Sequence, residues 1–207
     1  MDSILIRTLN GEKTNRPPVW FMRQAGRILP NYMQLKELYT FHELMNDKDL
    51  ASKVTLLPIE DLNVDAAILF SDILVIPHAL GLDVEFKKTG PIFNNPLNFN
   101  SKAADLEFDS SKLNYIYNNI KQVQSDKNQN TPLIGFCGGP LTVFLFMFKR
   151  EGSKDHMKKA IKYLYENREE SKKILELITE SSIDYVKGQC KAGIDVFQLF
   201  ETYCGSI

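Results

Sequence analysis

The chain has 207 residues and a mass of 23.7 kDa, the size of one domain at ~150 residues each. Hydrophobic residues make up 43%, charged residues 25% and aromatics 11%, which excludes a disordered tail, a collagen-like repeat and a disulfide miniprotein. Lys and Arg number 25 against 26 Asp and Glu, so the chain lacks the cationic excess on which non-specific nucleic-acid binding rests.

The start offers no secretory signal, because Asp2 stands where such a signal is basic and the apolar run of residues 4–6 is broken by Arg7. Residues 3–10 read as a short helix, which Pro17 and Pro18 forbid from extending. Residues 19–22 read as a first apolar strand. A helix is expected over 47–62, capped by Asp47, with Leu50, Val54 and Leu57 on one face and a kink at Pro58. Residues 66–70 form a short continuous apolar run, the mark of a strand buried on both faces. A helix from Asp72 to about Leu80, closed by Gly81, follows, then an irregular hairpin over 83–99 through Thr89, Gly90 and Pro91.

Leu113, Ile116, Tyr117, Ile120 and Val123 mark an amphipathic helix over 111–125. Residues 131–148 carry no charge and are long enough for a membrane span. Pro132, Gly135, Gly138, Gly139 and Pro140 instead predict a strand over 132–137, a turn, and a buried helix from Leu141, with no membrane role. Helices are expected over 155–166 and 168–191, the second ended by Gly193, and a fourth strand over 196–200. Buried strands alternating with helices imply βαβ units and a parallel sheet. Four strands are half of an eight-stranded barrel, and a closed barrel needs ~250 residues.

Cys137, Cys190 and Cys204 are far apart and read as reduced cytosolic thiols, and His42, His78 and His156 show no metal-ligand spacing. In a parallel barrel the reacting groups follow the C-terminal ends of strands. The first end supplies Arg23 and Arg27, which beside Ala25, Gly26 and a buried Trp20 suit bidentate capture of carboxylates or phosphates, with Gln24 adding a neutral donor and acceptor. The second supplies Asp72, on local sequence a helix cap. The third supplies Gly138, Gly139 and Pro140, with Phe146 beyond them, and the fourth Glu201, Thr202 and Tyr203.

The ten residues Pro18-Val19-Trp20-Phe21-Met22-Arg23-Gln24-Ala25-Gly26-Arg27 resemble the N-terminal signature of the uroporphyrinogen decarboxylase family. Residues 68–74, 132–142 and 198–202 are similar to its second, third and fourth motifs, in order. The resemblance implies a cofactor-free, cytoplasmic decarboxylase with a (β/α)8 TIM barrel, homodimeric at full length. It would turn the four acetate side chains of uroporphyrinogen III into methyls, giving coproporphyrinogen III for haem synthesis. By position, Arg23 and Arg27 would hold substrate carboxylates within the segment Gln24-Ala25-Gly26, and Lys36 would assist. Asp72 would accept hydrogen bonds from the pyrrole N–H groups, Phe200 would pack on the ring, and Thr202 would contact a side-chain carboxylate. Phe146 departs from the pattern, because the family usually has tyrosine there. The family's C-terminal histidine has no counterpart, so residues 1–207 are expected to be a single barrel domain truncated at its C-terminus and inactive alone. A related barrel methyltransferase fits less well, since those enzymes rely on a His and Cys zinc site and lack the Arg-Gln-Ala-Gly-Arg run. A non-catalytic porphyrinogen-binding fragment is the other alternative.

Overall fold

The computed structural model describes residues 3–87 and 90–206. These are α/β, with a parallel sheet of three strands in the order β1 (Ala67–Ile68), β4 (Leu133–Gly138), β5 (Val196–Phe200) and an antiparallel pair, β2 (Val84–Lys87) with β3 (Gly90–Phe93). The chain gathers into two compact units, one of Met1–Ser71, Tyr115–Phe136 and Gly188–Gln198, the other of Asp72–Asn114, Cys137–Lys187 and Leu199–Ile207.

In the first unit, helix α1 (Ile4–Leu9) lies where the sequence predicts it. The expected strand over 19–22 does not form. Pro17 and Pro18 have no N–H to offer a ladder. The Val19 N–H donates to the Asp65 carboxylate (2.7 Å) and the Phe21 N–H to the Gln24 side chain (3.1 Å), so side chains take the donors that a neighbouring strand would need. Two helices unmarked by the apolar pattern follow. Helix α2 (Pro30–Leu38) starts on a proline, whose fixed φ suits a first turn. Helix α3 (Phe41–Asn46) starts on a capping box in which Thr40 and Glu43 bond each other's backbone N–H. Helix α4 (Lys48–Leu62) begins on the expected Asp47 cap, which accepts from Asp49 and Leu50 N–H at 2.9 Å each, and continues through Pro58. Val54 and Leu57 are buried, whereas Leu50 is only half-buried.

β1 and β4 pair in register Ala67 with Leu133 and Ile68 with Ile134. All six residues of β4 are buried, as its apolar run demands. β5 is not buried on both faces as expected; Leu199 is 48% exposed. Helix α6 (Asn114–Asp126) buries Ile116, Ile120 and Val123. The amide of Gln189, fully buried, both donates to Phe136 O (3.0 Å) and accepts from Phe136 N–H (3.1 Å), acting as a fragment of strand beside β4. A Cβ on neighbouring Gly135 would sit 2.7 Å from Ile194, so glycine is required for that approach.

In the second unit, helix α5 (Val75–Ala79) is followed by Gly81 at φ +93°, a left-handed stop. The expected hairpin forms with regular strands, Gly90 and Pro91 lying in β3 rather than in a turn, and Thr89 lies outside the described residues. The uncharged stretch resolves into β4, Gly139 and helix α7 (Pro140–Phe146). Helices α8 (His156–Glu166) and α9 (Arg168–Ala192) match the expected pair. Tyr163 of α8 packs at 5.3 Å from Phe148, which is 5.4 Å from Phe144, and its hydroxyl donates to Ser101 O (2.6 Å). Among the described residues no helix is long and apolar enough to cross a membrane.

The Gln189 bonds yield a prediction. Gln189→Ala would remove both bonds to the buried Phe136 backbone and should cost about 2–4 kcal/mol, read as a lower midpoint in urea unfolding; an unchanged midpoint would remove Gln189 from the sheet's hydrogen bonding.

Candidate active site

The arginine segment in the first unit is a turn rather than a strand end. Gln24 N–H donates to Phe21 O (3.2 Å) and Leu29 N–H to Gly26 O (3.0 Å). Gly26 lies so close to Arg23 that an added Cβ would meet its carbonyl at 2.9 Å. Gln24 is 1% exposed, and its amide accepts from Phe21 N–H and donates to Ala66 O (2.9 Å). The side chain expected to face a ligand is thus a brace that ties the turn to the residue before β1. Trp20, expected to be buried, is half-buried.

Upstream, Asp65 receives both guanidinium nitrogens of Arg16 (2.6 and 2.7 Å), accepts from Val19 N–H, and returns its own N–H to Val19 O (2.8 Å). The Arg16 fork, ahead of the Val19 bond, holds the Asp65 carboxyl below its usual range. Asp65 therefore fixes the chain entering the turn.

Arg23 and Arg27 are exposed and form no ion pair among the described residues. Phe21 and Met22 beside them are more than half exposed, at 54% and 55%. The field of Arg27 reaches the buried Tyr32, whose phenol burial pushes up and the Arg27 charge pulls back down. Tyr32 rests edge-on against Phe70 at 5.9 Å, and Phe41 packs on the same ring at 5.2 Å. Lys36, on the last turn of α2, is half-buried and likewise without an ion pair among the described residues. Unpaired cations on an apolar support suit an anionic ligand with an apolar body.

In the second unit, Asp72 is half-buried and one carboxylate oxygen accepts from Leu74 N–H (2.8 Å). That bond shapes the turn into α5, although the helix begins at Val75 with Leu74 as its cap. The next residue, Ile73, stands against Gly138, where a Cβ would approach it to 3.0 Å. Gly139 N–H donates to Phe200 O (2.8 Å), and Thr202 N–H donates to the Thr142 hydroxyl (2.9 Å). The ends of β4 and β5 are so joined, with Phe200 half-buried and Thr202 exposed beside them.

Glu201 is the link whose role the sequence leaves unread. Its carboxylate accepts from Thr142 N–H (3.1 Å), the Thr142 hydroxyl, and Tyr203 N–H (3.0 Å). Burial works against its charge, yet these donors and the Leu141 N–H outweigh it, and the carboxyl lies below its usual range. Phe146 ends α7 half-buried, 6.1 Å from Tyr203 and 6.4 Å from His156, with Lys149 Nζ 5.8 Å above its ring. His156, read in the sequence only for its lack of metal-ligand spacing, is pushed down by burial and then by Lys149. Cys137 is buried and its thiol is pushed up to about 12, which makes it a poor nucleophile. Among the described residues no three His, Cys, Asp or Glu cluster as metal ligands.

The fold is a parallel α/β sheet with polar groups after its strands, an architecture that hosts many functions, and comparison with known proteins gives the family. The family model described as "Uroporphyrinogen decarboxylase (URO-D)" matches residues 2–207, and the chain belongs to that family. Proteins named uroporphyrinogen decarboxylase are 40% identical in Christiangramia forsetii, over 99% of this chain and 60% of theirs, and 41% identical in Rickettsia bellii, over 92% and 56%. One from Aquifex aeolicus is 39% identical over 100% of this chain and 60% of its own. The chain thus spans about three-fifths of the length of these relatives. Among solved structures, a "methyltransferase from Methanosarcina mazei" has a TM-score of 0.73 at 19% identity, covering 97% of this chain and 59% of that one, which is a likeness of fold.

The Asp65 contacts give a pH prediction. A carboxyl held below its unfolded value of about 3.9 contributes stability that is present above that value and is lost as pH falls through the folded one. Asp65→Asn should lower stability at neutral pH by about 1–2 kcal/mol and flatten its decline below about pH 4. Unfolding titrations from pH 3 to 7 check this; identical acid limbs in both proteins would count against the clamp.

Proposed function

We propose that the protein of which this chain is part decarboxylates the four acetate side chains of uroporphyrinogen III, giving coproporphyrinogen III. The observation that carries this reading is the pair of exposed arginines, Arg23 and Arg27, without acidic partners among the described residues and on a turn braced by Gln24. Family membership and relatives at about 40% identity support the reaction class.

The chemistry assigns each group a task. An acetate on a pyrrole loses CO2 once the adjacent ring carbon is protonated, because the cationic ring accepts the electrons of the breaking bond; the exocyclic methylene left behind then takes up a proton while the ring carbon gives its proton back, so each acetate becomes a methyl with loss of CO2 and net uptake of one proton from solvent. Asp72 accepts hydrogen bonds from the pyrrole N–H groups and stabilises that cation, a charge placed where charge develops. Arg23, Arg27 and Lys36 pair with carboxylates that do not react. Pairing the departing carboxylate tightly would stabilise the ground state and slow the step. Exposed Phe21 and Met22 beside the arginines suit an acetate that leaves as neutral CO2. Phe200 packs on the macrocycle and Thr202 contacts a side-chain carboxylate. Phe146 has no hydroxyl, so a hydrogen bond from that position is absent. The reaction needs no cofactor, since the protonated ring is its own electron sink.

The same reading makes these 207 residues the first part of one (β/α)8 barrel, homodimeric when whole. A half-exposed β5 and coverage of 56–60% of the relatives support the barrel part of this reading. On that account the isolated chain does not turn over substrate.

Two variants of the complete protein test the assignment under anaerobic assay. Asp72→Asn should lower kcat by about 100- to 1,000-fold; near-normal turnover would take Asp72 out of the mechanism. Arg23→Ala should lower kcat/KM by about 10- to 100-fold through loss of a charge-assisted pair, while an unchanged kcat/KM would return Arg23 to an ordinary solvated side chain.

A further inference from the structure

We propose that Glu201 is a positioning residue of the decarboxylation site, holding Phe200 and Thr202 in place by fastening the chain after β5 to the start of α7. The inference rests on the reading that Phe200 and Thr202 meet the substrate, and it adds a residue to which no binding or chemical role has been given.

The attachment is made at both flanks of Glu201. On one side Phe200 O accepts from Gly139 N–H (2.8 Å). On the other, Thr202 N–H donates to the Thr142 hydroxyl (2.9 Å), and that hydroxyl donates onward to Glu201. The carboxylate also takes the N–H groups of Thr142 and Tyr203. Thr142, only 1% exposed, is thereby locked as donor to Glu201 and acceptor from Thr202, so the orientation of its hydroxyl depends on the charge of its neighbour. The space fits this pairing. A Cβ at Gly139 would stand 2.8 Å from the Glu201 Cβ, so only glycine lets the strand end approach so closely. The far end of α7 meets the same segment, with Phe146 and Tyr203 rings 6.1 Å apart. Segment 200–203 is therefore held at both ends of a seven-residue helix, and Thr202 is exposed between the two attachments.

A carboxylate works here where a neutral amide would not. Three donors bond the Glu201 carboxylate, two N–H groups and a hydroxyl, and a glutamine would offer one acceptor oxygen and set an N–H₂ against the others. The loss would fall on the alignment of Phe200 and Thr202 rather than on the core, and misplacement of about 1 Å can cost as much as 100-fold in rate.

The test uses the complete protein with uroporphyrinogen under anaerobic conditions. Glu201→Gln should lower kcat by about tenfold or more, with KM moved less than about threefold, while the far-ultraviolet dichroism is retained. Thr142→Val should reproduce the loss, Thr142→Ser should restore it, and the double variant Glu201→Gln/Thr142→Val should be no worse than Glu201→Gln alone, as for two members of one unit. Wild-type kcat in Glu201→Gln or Thr142→Val overturns the proposal, as does a loss that Thr142→Ser shares. Amide hydrogen exchange at Thr202 and Tyr203 is read on the same samples without substrate. Faster exchange in Glu201→Gln supports the attachment and unchanged protection overturns it. If wild type leaves uroporphyrinogen untouched, the assigned reaction fails, and the exchange result still decides whether Glu201 holds the segment.

Discussion

The carboxylate of Asp65 is the contact on which the arginine turn depends. It takes the whole fork of Arg16 and the N–H of Val19, and so consumes one cation of this region while leaving Arg23 and Arg27 without an acidic partner among the described residues. The distinction is functional. A guanidinium already in a bidentate pair offers a ligand little, whereas an unpaired one offers a planar fork at full charge. Such a fork is useful only if its backbone is fixed. Gln24 does this from below, because a buried amide bonded at both ends is costly to displace.

The second unit solves a similar problem with glycines and one acid. Parallel strands bring their C-terminal ends together but leave the following loops unsupported, since the ladder stops there. Gly138 and Gly139 allow the loops to close on one another, and Glu201 supplies a negative charge to the buried Thr142 N–H in the first turn of α7 and to the Tyr203 N–H. Asp72, half-buried after β1, accepts the Leu74 N–H at one carboxylate oxygen, which shapes the turn into α5. An apolar core of Phe144, Phe148 and Tyr163 holds the helices behind these loops.

The sequence made legible what is written in local pattern. The buried β4 run, the Asp47 cap and the stripe of Ile116, Ile120 and Val123 each depend on residues a few positions apart, and each forms as read. The supposed strand over 19–22 misled because apolarity says nothing about who takes the N–H groups, and here Asp65 and Gln24, one of them distant in sequence, take them. Helices α2 and α3 lack a strong apolar stripe, yet Pro30 and the Thr40–Glu43 box announce their starts. At the site, the residue types were legible and their partners were not. Gln24 was readable as a polar group on the arginine turn, but its inward orientation is set by Ala66, more than forty residues away. Glu201 was named only as a strand end, since its link to Thr142 spans 59 positions. His156, Tyr203 and Lys149 meet around Phe146 by tertiary packing that no spacing rule conveys.

The proposed reaction removes the acetate carboxyls alone from a polycarboxylate tetrapyrrole. The most direct measurement supplies the complete protein, anaerobically, with uroporphyrinogen III labelled in its acetate carboxyl carbons and counts labelled CO2 per tetrapyrrole. The account predicts release of all the acetate label with the propionate carboxyls retained. No labelled CO2, or loss of propionate carboxyls in its place, would contradict it.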